Sequence, residues 1–458
     1  MLTKLRLEHF KSWRDTGDLR LAPITCFFGS NSSGKTSLTQ SLLLLKQTAE
    51  SSDRKAVLQF GGPGSLVNLG DFASVVHNHE ISRSLRISLT WVLEDELELA
   101  NPLERTGVVA SGKNMSFSTQ IEAANGQGKA IRLRVSELSY TLDGASFRMI
   151  RSDAKKDGYE LGADVTGFQF TRTQGRAWPL PPPVKCYGFP DQVRGYFQNA
   201  GFLSDLELQL EEALRHIFYL GPLRAYPERT YSWAGGQPSD MGRAGEQVID
   251  AILSSRDRGD KISPGYKKRK LTLEAYVALM LEKLGLITSF AVTPVSEDSQ
   301  IFQVKVRKTA KSPEALITDV GFGVSQILPV VVLCFYVPEG STVILEQPEI
   351  HLHPMVQAGL ADVLIDATAR RKVQVIVESH SEHFLRRLQR RIAEQTLKHN
   401  DAALYFCDYQ EGESRIVDLD VDLFGSIKNW PQDFFGDQFG ELAKTQRARV
   451  ERQRQAAP

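Results

Sequence analysis

Apolar and polar positions along the chain change period several times, and each change marks a predicted element. Residues 4–10, KLRLEHF, alternate and predict a strand, and 24–28, ITCFF, form a short apolar run that predicts a buried strand ending at Gly29. Residues 36–50, TSLTQSLLLLKQTAE, combine strong helix formers with an apolar face and predict a helix. From Gly61 to Gly188 short alternating segments such as SLRISLTWVL, MSFSTQIEA, IRLRVSELSYTL and FQFTRT are parted by Gly, Asn and Asp, which predicts a β-rich meander. The run WPLPPPVK at Trp178 to Lys185 is too rich in proline for helix or strand and marks a boundary. Two helical stretches follow, LSDLELQLEEALRHIFYL and LTLEAYVALMLEKLGL. After residue 286 strands return with IFQVKVR, then a helix near 325–336, TVILE, a helix from 355, VQVIVES, a helix from 382, ALYFCDY and SRIVDL. Alternation of strand and helix from Val343 to Asp408 predicts a parallel sheet. No internal repeat is visible.

This pattern divides the chain into 1–60, a β-rich meander at 61–190, a helical insertion at 191–286, a second α/β part at 287–440 and a basic tail at 441–458. A length of 458 residues is ample for a sizeable core, and 55 basic against 55 acidic side chains name no partner by net charge. Local charge is less even. Lys267, Lys268, Arg269 and Lys270 form a run, and Arg386, Arg387, Arg390 and Arg391 recur at helical spacing, a pattern of a solvated face more often than of a phosphate contact. The four cysteines, Cys26, Cys186, Cys334 and Cys407, are widely separated and read as reduced core thiols. The N-terminus has no apolar h-region, and the longest apolar run, Ile327 to Val337, is short and contains Pro329, so neither a signal peptide nor a membrane span is expected and the expected location is cytoplasmic.

The candidate chemistry begins at Gly29, Ser30, Asn31, Ser32, Ser33, Gly34, Lys35 and Thr36, which fit G-x-x-x-x-G-K-[ST] between a predicted strand and a predicted helix, with Ser37 next to them. Glycines at the two ends permit backbone angles that turn successive N–H groups onto phosphate oxygens. The helix N-terminus adds positive potential, Lys35 reaches the β- and γ-phosphates, and the Thr36 hydroxyl suits Mg2+. A phosphate-binding loop does not by itself choose among kinases, GTPases and motor ATPases.

Two longer stretches do. LRLEHFKSWRDTGDLRLAPITCFFGSNSSGKTSL near the start, with VGFGVSQILP, VILEQPEIHLHP and VIVESHSEHFL later, resembles the ABC-type ATPases of the RecF, SMC and OLD-like group, and within it stand-alone bacterial AAA-type ATPases of defence or DNA-metabolism loci. YLGPLRAYPERTY looks typical of the same subgroup. The resemblance implies an α/β, two-lobed ABC-type P-loop ATPase head with a β-rich and helical insertion. It implies ATP and Mg2+, with Thr36 and Glu346 holding the metal, and His380 as the switch histidine that senses the γ-phosphate. Gly321 and Gly323, with Ser325 as a substitute for the usual signature serine, would close on the ATP of a second subunit, so a homodimer or higher oligomer is implied.

One departure bears on mechanism. Gln347 stands where these ATPases keep the carboxylate that orients the attacking water. A neutral amide holds water but does not accept its proton at pH 7. Slow hydrolysis is expected, with either Gln347 or Glu349 completing the water site. Two functions stay open: an ATPase whose head pairing controls DNA or an effector protein, in anti-phage defence or RecF-like repair, or an ATP-gated scaffold that scarcely hydrolyses and assembles a separate nuclease or toxin. His351, His353, His380 and His383 raise a zinc or HNH-type rival, and Asp418 to Asp422 an acidic cluster. The first lacks nearby cysteines and the second has the period of an exposed strand face. The interval between P-loop and signature has no long heptad run, so no coiled-coil arm is expected.

Overall fold

The computed structural model describes residues 1–104, 107–124, 131–152, 158–175, 178–431, 434, 444–450 and 452. At its centre is a six-stranded sheet in the order Ile217–Leu220, Thr342–Glu346, Gln374–Glu378, Ile24–Gly29, Ala402–Gln410, Glu413–Asp418. The first five strands are parallel and the last returns antiparallel. Parallel strands are covered on both faces and so read as unbroken apolar runs. Ile24, Cys26 and Phe28 face a core built with helices Val248–Arg258, Leu273–Lys283, Phe322–Tyr336, Pro354–Arg371 and Glu382–Ala393. Phe27, Ile344 and Ile376 face the opposite way, onto helices Lys35–Glu50 and Leu203–Arg215 and the second sheet.

That second sheet is antiparallel and eight-stranded. It holds the meander strands Leu85–Ala100, Val108–Ala124, Arg132–Leu142, Ala145–Arg151 and Tyr159–Asp164, and Leu2–Phe10 pairs with the first of them. The meander is therefore continuous with the N-terminal part and is not a free-standing insertion. The 191–286 segment also departs from a purely helical reading. Helix Leu203–Arg215 stops, and Ile217–Leu220 pairs in parallel with Thr342–Glu346 as an edge of the central sheet. Ile-Phe-Tyr-Leu has aromatic and β-branched side chains, all four buried, which a strand accommodates, and pairing with the free edge of Thr342–Glu346 decides against a further helical turn. A smaller sheet joins Tyr231–Ser232, Ile301–Arg307, Ser289–Pro294 and Ala315–Leu316.

The arginine stripe is paired. Arg386 meets Glu382 at 3.3 Å, Arg387 meets Asp362 at 2.5 Å, Arg390 meets Glu394 at 2.7 Å and Arg391 meets Asp362 at 2.6 Å. Lys267 to Lys270 are exposed. All four cysteines are buried and free. No helix among the described residues is long and apolar enough to cross a membrane. Of the basic tail, 444–450 and 452 are helical and the described positions are exposed, while 441–443, 451 and 453–458 lie outside the described residues.

Candidate functional site

In an open parallel sheet, ligands bind where strands deliver their C-terminal ends. Here that edge brings together Leu220, Glu346, Glu378 and Gly29, because Leu220 pairs with Leu345, Glu346 with Glu378, and Glu378 with Phe27. The strand ending at Glu378 lies between the P-loop strand and the strand ending at Glu346. Sequence distance is thereby erased, and the loop from residue 29 faces acids from two later strands.

The P-loop takes the backbone its glycines predict. Gly29 has φ +141°, Gly34 φ +90°, and Ser32 also has positive φ at +60°. A Cβ on Gly29 would stand 2.0 Å from the Cys407 carbonyl oxygen. Helix Lys35–Glu50 starts at Gly34 with no side-chain cap, so its first N–H groups are directed at the loop. The buried Trp13 indole N–H donates to the Gly34 carbonyl at 3.0 Å and fixes that turn. Ser12 and Ser414 hydroxyls hydrogen-bond at 2.6 Å beside it. The Lys35 ammonium donates to the Ser30 carbonyl at 2.6 Å and the Gly29 carbonyl at 3.2 Å, and its pKa is lowered by burial.

Ser12, Asn31 to Ser37, Gln347, Glu378 and His380 line a cavity of about 230 Å3 over this loop. The Thr36 hydroxyl donates to Glu378 Oε2 at 2.7 Å. The Thr39 hydroxyl, one turn on, lies 3.3 Å from Glu346 Oε1 and 3.0 Å from the Thr36 carbonyl, so its single proton is shared. Gln347 has φ +43°, its N–H donates to the Glu378 carbonyl at 2.8 Å, and its side chain also bonds Glu378. Burial, then the charge of Glu378, pushes Glu346 up to about 7. Burial also raises Glu378, against the Thr36 hydrogen bond and the Lys35 charge. His380 is pushed down by burial and by Lys35, while its ring donates to the Gly29 backbone.

Glu349 is set differently. It is buried and absent from the cavity lining, and one carboxylate oxygen accepts the His380 backbone N–H at 2.6 Å. The structure therefore brings Gln347 and His380 to the cavity and puts Glu349 behind them. Gly321, Gly323 and Ser325 do not line it. Gly321 is exposed and Gly323 half-buried at the start of helix Phe322–Tyr336, whereas Ser325 is turned into the protein.

Four participants were not singled out in the sequence: Ser12, Trp13, Glu378 and Arg224. Arg224 follows strand Ile217–Leu220 onto the same sheet edge, 8% exposed, with Nη2 3.4 Å from the Glu346 carbonyl and both Nε and Nη1 buried without a hydrogen-bond partner. Burial lowers it to about 10, against the pull of Tyr219, Glu346 and Glu349. The signal for Glu378 was that VQVIVE, like TVILE, is an apolar strand ending in an acid.

The rival metal readings find no support. Among the described residues no group of three or more His, Cys, Asp or Glu side chains is placed to cage a metal. His353 caps helix Pro354–Arg371 through the Met355 N–H at 3.3 Å, and Asp422 accepts the Phe424 and Ser426 N–H groups in a turn. Hydroxyl and carboxylate oxygens beside a phosphate cradle do fit Mg2+, which binds through one or two carboxylates plus substrate phosphates and needs no all-protein cage.

The sheet order, P-loop and acid-ended strands make this a P-loop α/β fold with a nucleotide-binding arrangement at the C-terminal edge of its central sheet. Residues 250–386 match the family described as "AAA domain, putative AbiEii toxin, Type IV TA system", and residues 397–444 match "Protein of unknown function (DUF3696)". No curated protein matches the sequence. Among solved structures the chain is similar to the "SMC head domain from Thermotoga maritima", with 12% identity over 92% of this chain and 99% of that one and a TM-score of 0.40. It is also similar to an SmcHead bound to the C-winged helix domain of ScpA, with 11% identity over 91% and 98% and a TM-score of 0.44. An Smc head domain with an extended coiled coil, bound to the C-terminal domain of ScpA derived from Pyrococcus furiosus, gives 11% identity over 91% and 96% and a TM-score of 0.39.

Proposed function

We propose that the chain binds ATP with Mg2+ in the P-loop cavity, hydrolyses it slowly, and uses the bound nucleotide to pair its head with a second copy, so that pairing controls an effector protein. The observation that carries slow turnover is Gln347 at the cavity wall, with its amide engaged by Glu378. In this reading the loop N–H groups and Lys35 grip the phosphates, Thr36 and an acid from the facing strand ends hold the metal, and His380 senses the γ-phosphate. When bound, magnesium offsets charge on the β- and γ-phosphates. Gln347 positions a water without accepting its proton, which forgoes general-base help worth ~10²–10⁴ in rate.

Pairing is supported by the two signature glycines. A Cβ on Gly321 would meet nothing within 4 Å, and one on Gly323 only Leu286 Cδ2 at 3.5 Å. Their smallness is not demanded by packing within this chain, and a surface that admits a second copy's nucleotide accounts for it. The paired arginine stripe favours an effector protein over DNA, as does the toxin–antitoxin description of the matching family, which also fits a role in defence.

A second reading, an ATP-gated scaffold with almost no hydrolysis, draws on Glu349, whose commitment to the His380 backbone leaves the cavity without that carboxylate as a base. Steady-state turnover with and without DNA, together with the mass of the particle with and without ATP, tests both. The proposal expects ATP-dependent pairing, slow turnover indifferent to DNA, and a gain of ~10-fold or more for Gln347→Glu. Unchanged turnover in Gln347→Glu with complete loss in Glu349→Ala would show Glu349 to be the base and sink the account of slow hydrolysis.

A further inference from the structure

Glu378 is 3% exposed, ends the strand next to the P-loop strand, and lines the nucleotide cavity. Its neighbours are the Thr36 hydroxyl, the Lys35 ammonium and the Gln347 amide. We infer that Glu378 is the carboxylate that shares the magnesium ion with Thr36, and that Glu346 stands one place further back, positioning the P-loop helix through Thr39. The inference rests on the reading that magnesium and ATP occupy this cavity, and it alters which acid meets the metal.

Three observations carry it. Sheet order comes first: the Glu378 strand separates the Glu346 strand from the P-loop strand, and neighbouring strands are ~4.8 Å apart, so Glu346 stands a full strand spacing further off. Spacing of oxygens comes second. Magnesium takes octahedral oxygens at ~2.1 Å, which puts adjacent ligands about 3 Å from each other. Thr36 Oγ1 and Glu378 Oε2, at 2.7 Å, are already almost an octahedral edge apart, and a small outward movement of either admits the ion. Last, the hydroxyls that Glu346 meets are those of Tyr219, on the edge strand away from the P-loop, and of Thr39 at 3.3 Å, one helical turn beyond the metal-binding threonine, and Glu346 does not line the cavity. The hydrogen bond between Thr36 and Glu378 holds the two oxygens in register.

The test uses the full chain, Mn2+ as probe and ATP, with manganese followed by electron paramagnetic resonance and ATP affinity measured separately in EDTA. Glu378→Gln keeps the side-chain shape and an acceptor for Thr36 but removes the charge. We expect it to weaken manganese binding to the ATP complex by at least ~10-fold, while ATP affinity in EDTA changes by less than about 3-fold. Glu378→Asp, which keeps a hard oxygen, recovers part of that loss, and supplies the comparison if the glutamine variant folds poorly. Glu346→Gln loses less manganese affinity than Glu378→Gln. Wild-type manganese affinity in Glu378→Gln, with the large loss in Glu346→Gln, overturns the inference and leaves the ATP reading standing. A native chain whose ATP affinity ignores both manganese and Lys35→Ala overturns the ATP reading, and the inference with it.

Discussion

Gly34→Ala puts a single methyl group where the P-loop turns into its helix. Gly34 has φ +90° and ψ 2°, left-handed backbone that costs an L-residue roughly 1–2 kcal/mol. The added Cβ would also stand 2.4 Å from Ser414 Oγ, 2.8 Å from Ser12 Oγ and 3.0 Å from Ser414 Cβ. Relieving that overlap pries apart the Ser12–Ser414 hydrogen bond of 2.6 Å, worth about 1 kcal/mol, and adds overpacking of about 1–3 kcal/mol. The total is ~3–6 kcal/mol, a large part of a stability that typically amounts to about 5–15 kcal/mol. Urea unfolding measures the loss, and a Ser414→Gly partner isolates its source. The paired variant removes Ser414 Oγ and Cβ and leaves Ser12 Oγ without its hydrogen-bond partner and able to turn aside, so a double-mutant cycle should return most of the packing share and leave the ~1–2 kcal/mol backbone share. ATP affinity should fall in Gly34→Ala, because the carbonyl that Trp13 holds belongs to the displaced turn. A Gly34→Ala chain within about 1 kcal/mol of the parent, or a cycle without coupling, would refute the reasoning.

Two further predictions concern buried charge. Burial pushes Glu207 up to about 7 from 4.5 although its carboxylate accepts the Phe189 N–H at 2.5 Å, so the folded chain favours its neutral form. Its stabilising contribution is fully present below pH 4.5 and is lost as pH rises to 7; Glu207→Gln should match the parent near pH 4 and exceed it at pH 8 by up to about 3 kcal/mol, as read by urea unfolding at both values. Arg224→Met keeps bulk but removes the guanidinium beside Glu346 and Glu349, and should lower stability by about 3 kcal/mol, with the loss larger at pH 8 than at pH 5, checked by denaturant titration at each pH. An Arg224→Met chain equal in stability to the parent at pH 8 would show that the two acids need no cation.

The phosphate cradle was legible because everything it requires is local: two glycines, a lysine and a threonine in eight residues between an apolar strand and a helix. Glu346 and His380 were legible only through resemblance, since neither has a local pattern that names it. Glu378 escaped because an acid at the end of an apolar strand is ordinary until sheet order sets that strand beside the P-loop. Trp13 and Ser12 escaped for a related reason. Their partners, Gly34 and Ser414, are brought to them by chain reversals that no hydrophobic period records. The Ile217–Leu220 strand was hidden by the helix before it, because four apolar residues continue a helical face as readily as they begin a strand, and only the free edge at Thr342–Glu346 settles which.

The position of Ile24–Gly29 in the middle of its sheet also has a price in time. Its two flanking strands, Gln374–Glu378 and Ala402–Gln410, leave the ribosome several hundred residues later. At roughly 5–20 residues per second, an apolar strand with bare edges waits on the order of tens of seconds for its neighbours. A chain cut before residue 374 would lack both strands that flank Ile24–Gly29, and with them the Glu378 and His380 side of the cavity.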